Sequence, residues 1–379
     1  MGPHRVARLV GVTVALVVAL VVAASAGATS SAWRASAQTG TASPGRIACA
    51  STTCLALATN ATNTIDVAGA NGTWRVLYSV TGSTTSSTSF SDLACDGSFC
   101  VAVANSTGTL RGHSVTGPDA FVSTSAGRTW SGHALAKVTG ATSTQVLDVA
   151  CASPRSCVAV GNYVGPTSTG GVAWTTDDAG VTWTGRALPP GVEGGPLACT
   201  SPRSCVMASG AIEVTTTGLG GFHPVATPHP WGSRTPTLQS VACAGGGCVI
   251  AGYASPSGQA CTSRACVPVL LASRDGRHWA SVSLPHAVSG QLVQVSCVTS
   301  SRCVAVGDAP SPNPMGGSSE VVRGAIGAPW STLPLPRPSS GEWIGATGVG
   351  CTPEGRCHTG DVYDRRAGLN YPYSLAGRA

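Results

Sequence analysis

The feature that most constrains this chain is the placement of its 16 cysteines. Fourteen fall in close pairs: Cys49 and Cys54, Cys95 and Cys100, Cys151 and Cys157, Cys199 and Cys205, Cys243 and Cys248, Cys297 and Cys303, Cys351 and Cys357. Successive first cysteines are 46, 56, 48, 44, 54 and 54 residues apart. An internal period of this length matches one four-stranded blade of a β-propeller plus variable loops. The flanks repeat as well. An aliphatic residue stands two before each first cysteine (Ile47, Leu93, Val149, Leu197, Val241, Val295, Val349), and Ala, Ser or Gly stands one before it. Each unit therefore reads strand, tight turn, strand, and opposed cysteines across that turn are placed for a disulfide. An eighth pair, Cys261 and Cys266, lies outside the series and staples the long loop 253–267. Zinc needs four ligands that converge, and pairs spread one per blade do not.

A second marker recurs further along each unit. Trp74, Trp130, Trp183, Phe222, Trp279 and Trp330 each open a later strand. Around them run Thr176-x-Asp178-x-Gly180-x-Thr182-Trp183, Ser123-x-Ser125-x-Gly127-x-Thr129-Trp130 and the shorter Ser273-x-Asp275-Gly276-x-x-Trp279. Asn71-Gly72-Thr73-Trp74 keeps only the end of this pattern. These segments resemble the Asp-box (BNR-like) repeat of β-propellers, in the superfamily that holds sialidases and the single-propeller assembly factor of photosystem II. The resemblance implies that the box residues are structural. Side chains of Asp and Ser/Thr mimic turn hydrogen bonds, and a Trp contributes large buried area.

The fold class expected is all-β: a seven-bladed propeller of four-stranded antiparallel blades. Blade cores are expected near 47–80, 93–136, 149–188, 197–227, 241–285, 295–335 and 349–379. The seventh unit has room for only three strands, so residues 31–37, with Trp33, are expected to complete it and close the ring. Closure removes exposed sheet edges. The 49 Gly and 25 Pro then serve turns between some 28 short strands, and a charged fraction of 10% suits sheets buried on both faces.

Residues 1–28 read as a signal peptide: Arg5 and Arg8, an apolar run Leu9–Ala24, then small residues. The remaining residues, 29–379, form a single domain in this reading. It places the protein outside the cell or in the envelope, where disulfides persist. Membrane contact is expected only through an uncleaved signal segment. The formal net charge of +6 is scattered without a Lys/Arg run, which argues against a nucleic-acid partner. A monomer is expected, with no cofactor and no metal.

Function, if the fold holds, belongs to the loops around the channel mouth. Trp231 and Trp343 stand in two of these loops. Tyr163, Tyr253 and Tyr363 follow second strands, and Arg46, Asp92 and Asp148 precede the packed part of the inner strands. Arg365 belongs to the densest charged cluster. Aromatics with a few polar groups suit a glycan or peptide, although Trp231 and Trp343 serve equally as plugs packed on a blade edge. No catalytic residue is assigned. A sialidase-like glycoside hydrolase is the alternative, since sialidases carry Asp-boxes, but only Arg46-Ile47 matches the early sialidase motif. The leading expectation is a non-enzymatic binding or scaffold module for a glycan or an envelope protein.

Overall fold

Seven antiparallel sheets stand in a ring, six of them formed by consecutive strands and the seventh completed by the N-terminal one. The computed structural model describes residues 34–37, 44–58, 64–69, 73–80, 87–110, 113–218, 221–256, 261, 266–285, 288–310, 317–333, 335, 346–360, 362–364 and 371–379. The signal segment expected over 1–28 lies outside them, as do Trp33, Trp343 and Arg365.

Blade 3 shows the pattern: Ser143–Cys151 innermost, then Cys157–Val164, Thr169–Thr176 and Thr184–Ala187 at the outside. The inner strands of the other blades are Pro44–Cys49, Ser87–Asp96, Leu197–Ser201, Thr235–Ala244, Gln291–Thr299 and Gly348–Cys351. In blade 7 the order from the axis outward is Gly348–Cys351, Arg356–Gly360, Tyr371–Arg378 and finally Arg34–Ala37. The N-terminal strand thus pairs antiparallel with the C-terminal one, Arg34 opposite Ala376, and the ring closes as the sequence implies. A short strand Val362–Asp364 also pairs the start of Tyr371–Arg378.

Each of the seven framework cysteine pairs is directly opposed in register across its first hairpin. All seven are bonded as the spacing implies. Cys49 is joined to Cys54, Cys95 to Cys100, Cys151 to Cys157 and Cys199 to Cys205. Cys243 is joined to Cys248, Cys297 to Cys303 and Cys351 to Cys357. The eighth bond joins Cys261 to Cys266 and does differ from the framework: its Cα atoms are 5.7 Å apart. Framework Cα–Cα distances are 3.9–4.1 Å, the close approach of narrow cross-strand pairs. Eight disulfides imply that the chain matures in an oxidising compartment.

Strand side chains alternate in direction, so each blade offers an apolar surface to both neighbours. The outcome is seven apolar layers, one per blade junction. Between blades 2 and 3, for example, Val101, Val103 and Val122 meet Val146, Val149 and Trp174. The aromatic that opens the outer strand always packs toward the preceding blade. Trp130 joins the layer with blade 1, Trp183 that with blade 2, Phe222 that with blade 3, and Trp279 and Trp330 follow suit. Trp74 turns toward blade 7, where its indole N–H donates to the Thr359 carbonyl (3.3 Å) and its ring meets His358 edge-on. Crowding near the axis explains the small residue before each first cysteine: a Cβ on Gly350 would lie 2.5 Å from Ile47 Cγ2.

The disulfide hairpins and the turns between third and outer strands share one face. The segment Thr176–Trp183 shows how such a turn is built. Thr176 Oγ1 accepts from the Gly180 N–H (2.9 Å) while donating to Asp178 (2.8 Å). Asp178 accepts from the N–H and hydroxyl of Thr182. These bonds, the Thr182 hydroxyl first, draw the Asp178 carboxyl down to about 2. Ala179 and Gly180 both take positive φ, 62° and 80°. Ala179 N–H then donates to the Arg155 carbonyl of the disulfide hairpin (3.0 Å). The same dock recurs in blade 2 (Ala126 to Ser98), blade 4 (Gly218 to Arg203) and blade 6 (Ile326 to Ser300).

Candidate functional site

Inner strands do not run straight to the channel mouth. In blades 2, 3, 5 and 6 the register slips by one residue just before the position three ahead of the first cysteine. A bulge of this kind re-aims the side chain that follows it. The side chains so placed are Asp92, Asp148, Ser240 and Gln294, and all four perform one task. Each accepts a hydrogen bond from a backbone N–H of the next blade's inner strand. Asp92 takes Val149 (3.2 Å), Asp148 takes Leu197 (3.2 Å), Ser240 takes Val295 (3.2 Å) and Gln294 takes Val349 (3.0 Å). The Gln294 amide also donates to the Ile47 carbonyl (3.2 Å), carrying the chain of contacts past the closure.

Blade 1 places Arg46 at the equivalent position. Its guanidinium reaches across the channel and donates through Nη1 and Nη2 to the carbonyl of Gln239 in blade 5, both at 3.3 Å. Gln239 is itself the bulged residue of its strand. Arg46 Nε also lies 4.0 Å from Asp92 Oδ1. The Arg46 side chain keeps 35% of its surface exposed, against 11% for Asp92.

Asp92 and Asp148 interact directly. Burial raises both above the usual carboxylate range, and Arg46 opposes the rise in each. Asp148 is pushed well up, first by burial and then by the negative charge of Asp92. The two carboxyls hydrogen-bond to each other, and the nearby guanidinium favours the charged form of both. Carboxyl groups in mutual hydrogen-bond contact are closer than the roughly 5–5.5 Å of a retaining glycosidase pair. Arg46 presents five N–H donors in total, more than one carbonyl and one distant carboxylate use. It is suited to a carboxylate or carbonyl offered from the channel mouth.

Of the residues singled out in the sequence, the structure brings Arg46, Asp92 and Asp148 together. Trp231 stands elsewhere. It is 6% exposed, packs with Val206, Ile212, Leu238 and Ile250 between blades 4 and 5, and meets His229 edge-on. Tyr253 is 5% exposed, and Tyr163 is half-buried against the layer between blades 2 and 3. Tyr363 lies on the strand Val362–Asp364.

A second tier of clamps sits one step further out and went unread in the sequence. Asn105, Asn162 and Asp308 each stand five residues after a second cysteine. Asn105 exchanges two bonds with Val146, its carbonyl taking the N–H and its amide giving to the C=O, both 2.9 Å. Asn162 accepts from Gly194 N–H (2.7 Å) and Asp308 from Ala346 N–H (3.2 Å). The signal was an Asx at a fixed offset in three of seven units.

Other carboxyls lie on third strands. Glu213 is pushed to about 7 by burial, against the Ser209 hydroxyl that bonds it, and Glu193 nearby raises it further. Glu320 rises to about 7 by burial, although the Ser289 N–H donates to it, and Asp308, on the neighbouring second strand, rises to about 6 by burial. Among the described residues, no group of three or more His, Cys, Asp or Glu is arranged to hold a metal ion, and no helix is long and apolar enough to cross a membrane.

Comparison with solved structures returns propellers. YCF48 bound to D1 peptide superposes with a TM-score of 0.55 at 13% identity, covering 92% of this chain and 95% of that one. YCF48 from Cyanidioschyzon merolae gives 0.53 at 11%, covering 92% and 98%. The GH74 enzyme of Niastella koreensis gives 0.54 at 14%, covering 88% of this chain but 53% of its own length, so this chain spans about half of that enzyme. At such identities the likeness is one of fold. No protein-family model matches the sequence, and no curated protein does.

Proposed function

We propose that this protein is a secreted, non-enzymatic Asp-box propeller that binds an envelope protein or glycan at its channel mouth, with Arg46 as the anchor. The observation that carries this reading is the state of the axial cluster. Asp92 and Asp148 are committed to each other and to backbone N–H groups of the next blade, while Arg46 retains open surface and unused donors. Such a group recognises a carboxylate or carbonyl. A propeller of the same fold is known bound to a peptide, YCF48 with the D1 peptide. Tyr163 and Tyr363, on second-strand and neighbouring strand positions, with Trp343 and Arg365, would contribute further contacts, whereas Tyr253 is too buried to do so.

The test is capture from envelope extract, beside a glycan array, with the wild type and Arg46→Ala. Retention of one defined species by the wild type, reduced at least tenfold in the variant, supports the proposal. Equal capture by both overturns it. The hydrolase alternative draws on one observation, the raised carboxyl of Glu213 beside Glu193. Turnover of fluorogenic sialosides or glycosides that vanishes in Glu213→Gln would establish that reading instead.

A further inference from the structure

We propose that the face carrying the disulfide hairpins docks the ring onto a membrane surface rich in anionic phospholipid headgroups. This face is opposite the proposed binding mouth, and the inference is independent of what that mouth binds.

The argument begins with flatness. All seven hairpins on this face span a sequence separation of only 5 or 6 between their cysteines, and each is pinned by its disulfide. On the other face, connections run up to those between Ser255 and Val267 or Thr332 and Gly348. With third-to-outer-strand turns of at most seven residues beside them, these hairpins leave this end of the ring without the long loops of the other, which suits an extended surface.

Charge supplies the second part. Going round the ring, blades 2 to 7 each present an exposed arginine here: Arg128, Arg155, Arg203, Arg274, Arg302 and Arg356. Two of them reach the next blade. Arg274 donates to the Gly327 carbonyl (3.3 Å), and Arg302 to that of Pro353 (3.4 Å). Among the described residues none of the six forms an ion pair with a carboxylate, the one arginine that does being Arg46 with Asp92. Five acids share this face, Asp96, Asp177, Asp178, Asp275 and Glu354, and the turn hydrogen bonds hold Asp178 and Asp275 in their charged form. With Arg277 the arginines number seven and leave the face positive by two. These six cations are all Arg, whose planar fork suits phosphate oxygens.

Two further features fit headgroups. A cleft of about 410 Å³ between blades 5 and 6 opens on this face, lined by Arg274, Ser300, Ser301, Gly245, Gly247 and Ile326. It offers one guanidinium and two hydroxyls to a phosphate group. Val181, in the blade 3 turn, is 63% exposed and supplies an apolar contact at the same level. A linear polyanion would call for cations aligned along a groove, whereas these are distributed around a rim.

The experiment is co-sedimentation of the full mature chain with phosphatidylcholine vesicles, with and without phosphatidylglycerol. Binding is expected only to the anionic vesicles, with loss at high salt. Replacing Arg155, Arg203, Arg302 and Arg356 together by Gln is expected to weaken binding roughly several hundred-fold, about fivefold for each arginine. Single Arg155→Gln and Arg356→Gln variants give the fivefold steps should the quadruple variant fail to fold. Arg186→Gln, on the outer strand of blade 3, is expected to bind as the wild type does. Equal binding to neutral vesicles, or undiminished binding by the arginine variants, overturns the proposal. So does binding to soluble polyphosphate without binding to vesicles. Arg46→Ala keeps vesicle binding, so this test fails separately from that of the channel mouth.

Discussion

Asp66 offers the sharpest test of the electrostatics inside the ring. It sits on the third strand of blade 1, opposite Ala56, and is fully buried. Thr64 donates to its Oδ1 at 3.0 Å, while Oδ2 has no partner among the described residues. Burial raises its pKa to about 6 from an unperturbed 3.8, the Thr64 bond opposing the rise. The folded state thus holds this proton more tightly than the unfolded chain. Its contribution is fully present below about pH 3.8 and is lost as pH rises through about 6. The full loss is about 3 kcal/mol, of which about 2 kcal/mol falls between pH 4 and pH 7. Asp66→Asn keeps the acceptor for Thr64 and never ionises. Urea unfolding of both proteins, disulfides intact, should show the stability of the variant relative to the wild type improving by about 2 kcal/mol from pH 4 to pH 7. Asp308, Glu213 and Glu320 also titrate with raised pKa values but are common to both proteins, so their effects cancel. A difference between the two proteins that stays constant with pH would refute the reasoning.

Three further outcomes are expected. Asn105→Ala removes the side-chain acceptor of the buried Val146 N–H, while the Val146 carbonyl keeps the Ser91 hydroxyl, and should cost about 1–3 kcal/mol in urea unfolding, whereas an unchanged midpoint would deny the clamp a role in joining blades. Trp231→Ala should cost about 3–5 kcal/mol by emptying the layer between blades 4 and 5, and a loss of ligand capture at unaltered stability would instead make it a contact residue. Deleting Arg34–Ala37 uncovers the edge of Tyr371–Arg378, so the melting temperature should fall sharply and self-association should appear by light scattering. A truncated chain that melts like the full one would rule out closure by this strand.

The fold was legible because it is periodic. A cysteine pair every 44 to 56 residues reports the first hairpin of each blade directly, and the leftover strand near Trp33 could be deduced from an incomplete seventh unit. The site was legible only as a set of positions. Arg46, Asp92 and Asp148 share an offset from their cysteines, but that Arg46 crosses the channel to the Gln239 carbonyl depends on a bulge four blades away. Spacing carries no information about such a contact. Trp231 illustrates the same limit. A Trp in a Pro-rich loop reads alike as platform or plug, and its burial is decided by how blades 4 and 5 meet. The Asx clamps are an intermediate case: their offset is regular, but three of seven units make a faint signal beside fourteen cysteines.

The framework disulfides have a consequence for how the chain acquires its covalent structure. Possible pairings multiply steeply with cysteine number, and sixteen thiols would ordinarily invite scrambling. Here every correct partner is five or six residues away. Short loops close more readily than long ones, so each thiol meets its proper mate before any from another blade. Oxidation is therefore a local event, instructed by each hairpin for itself. A blade copied within the chain would bring its own pairing with it, leaving the bonds of its neighbours undisturbed.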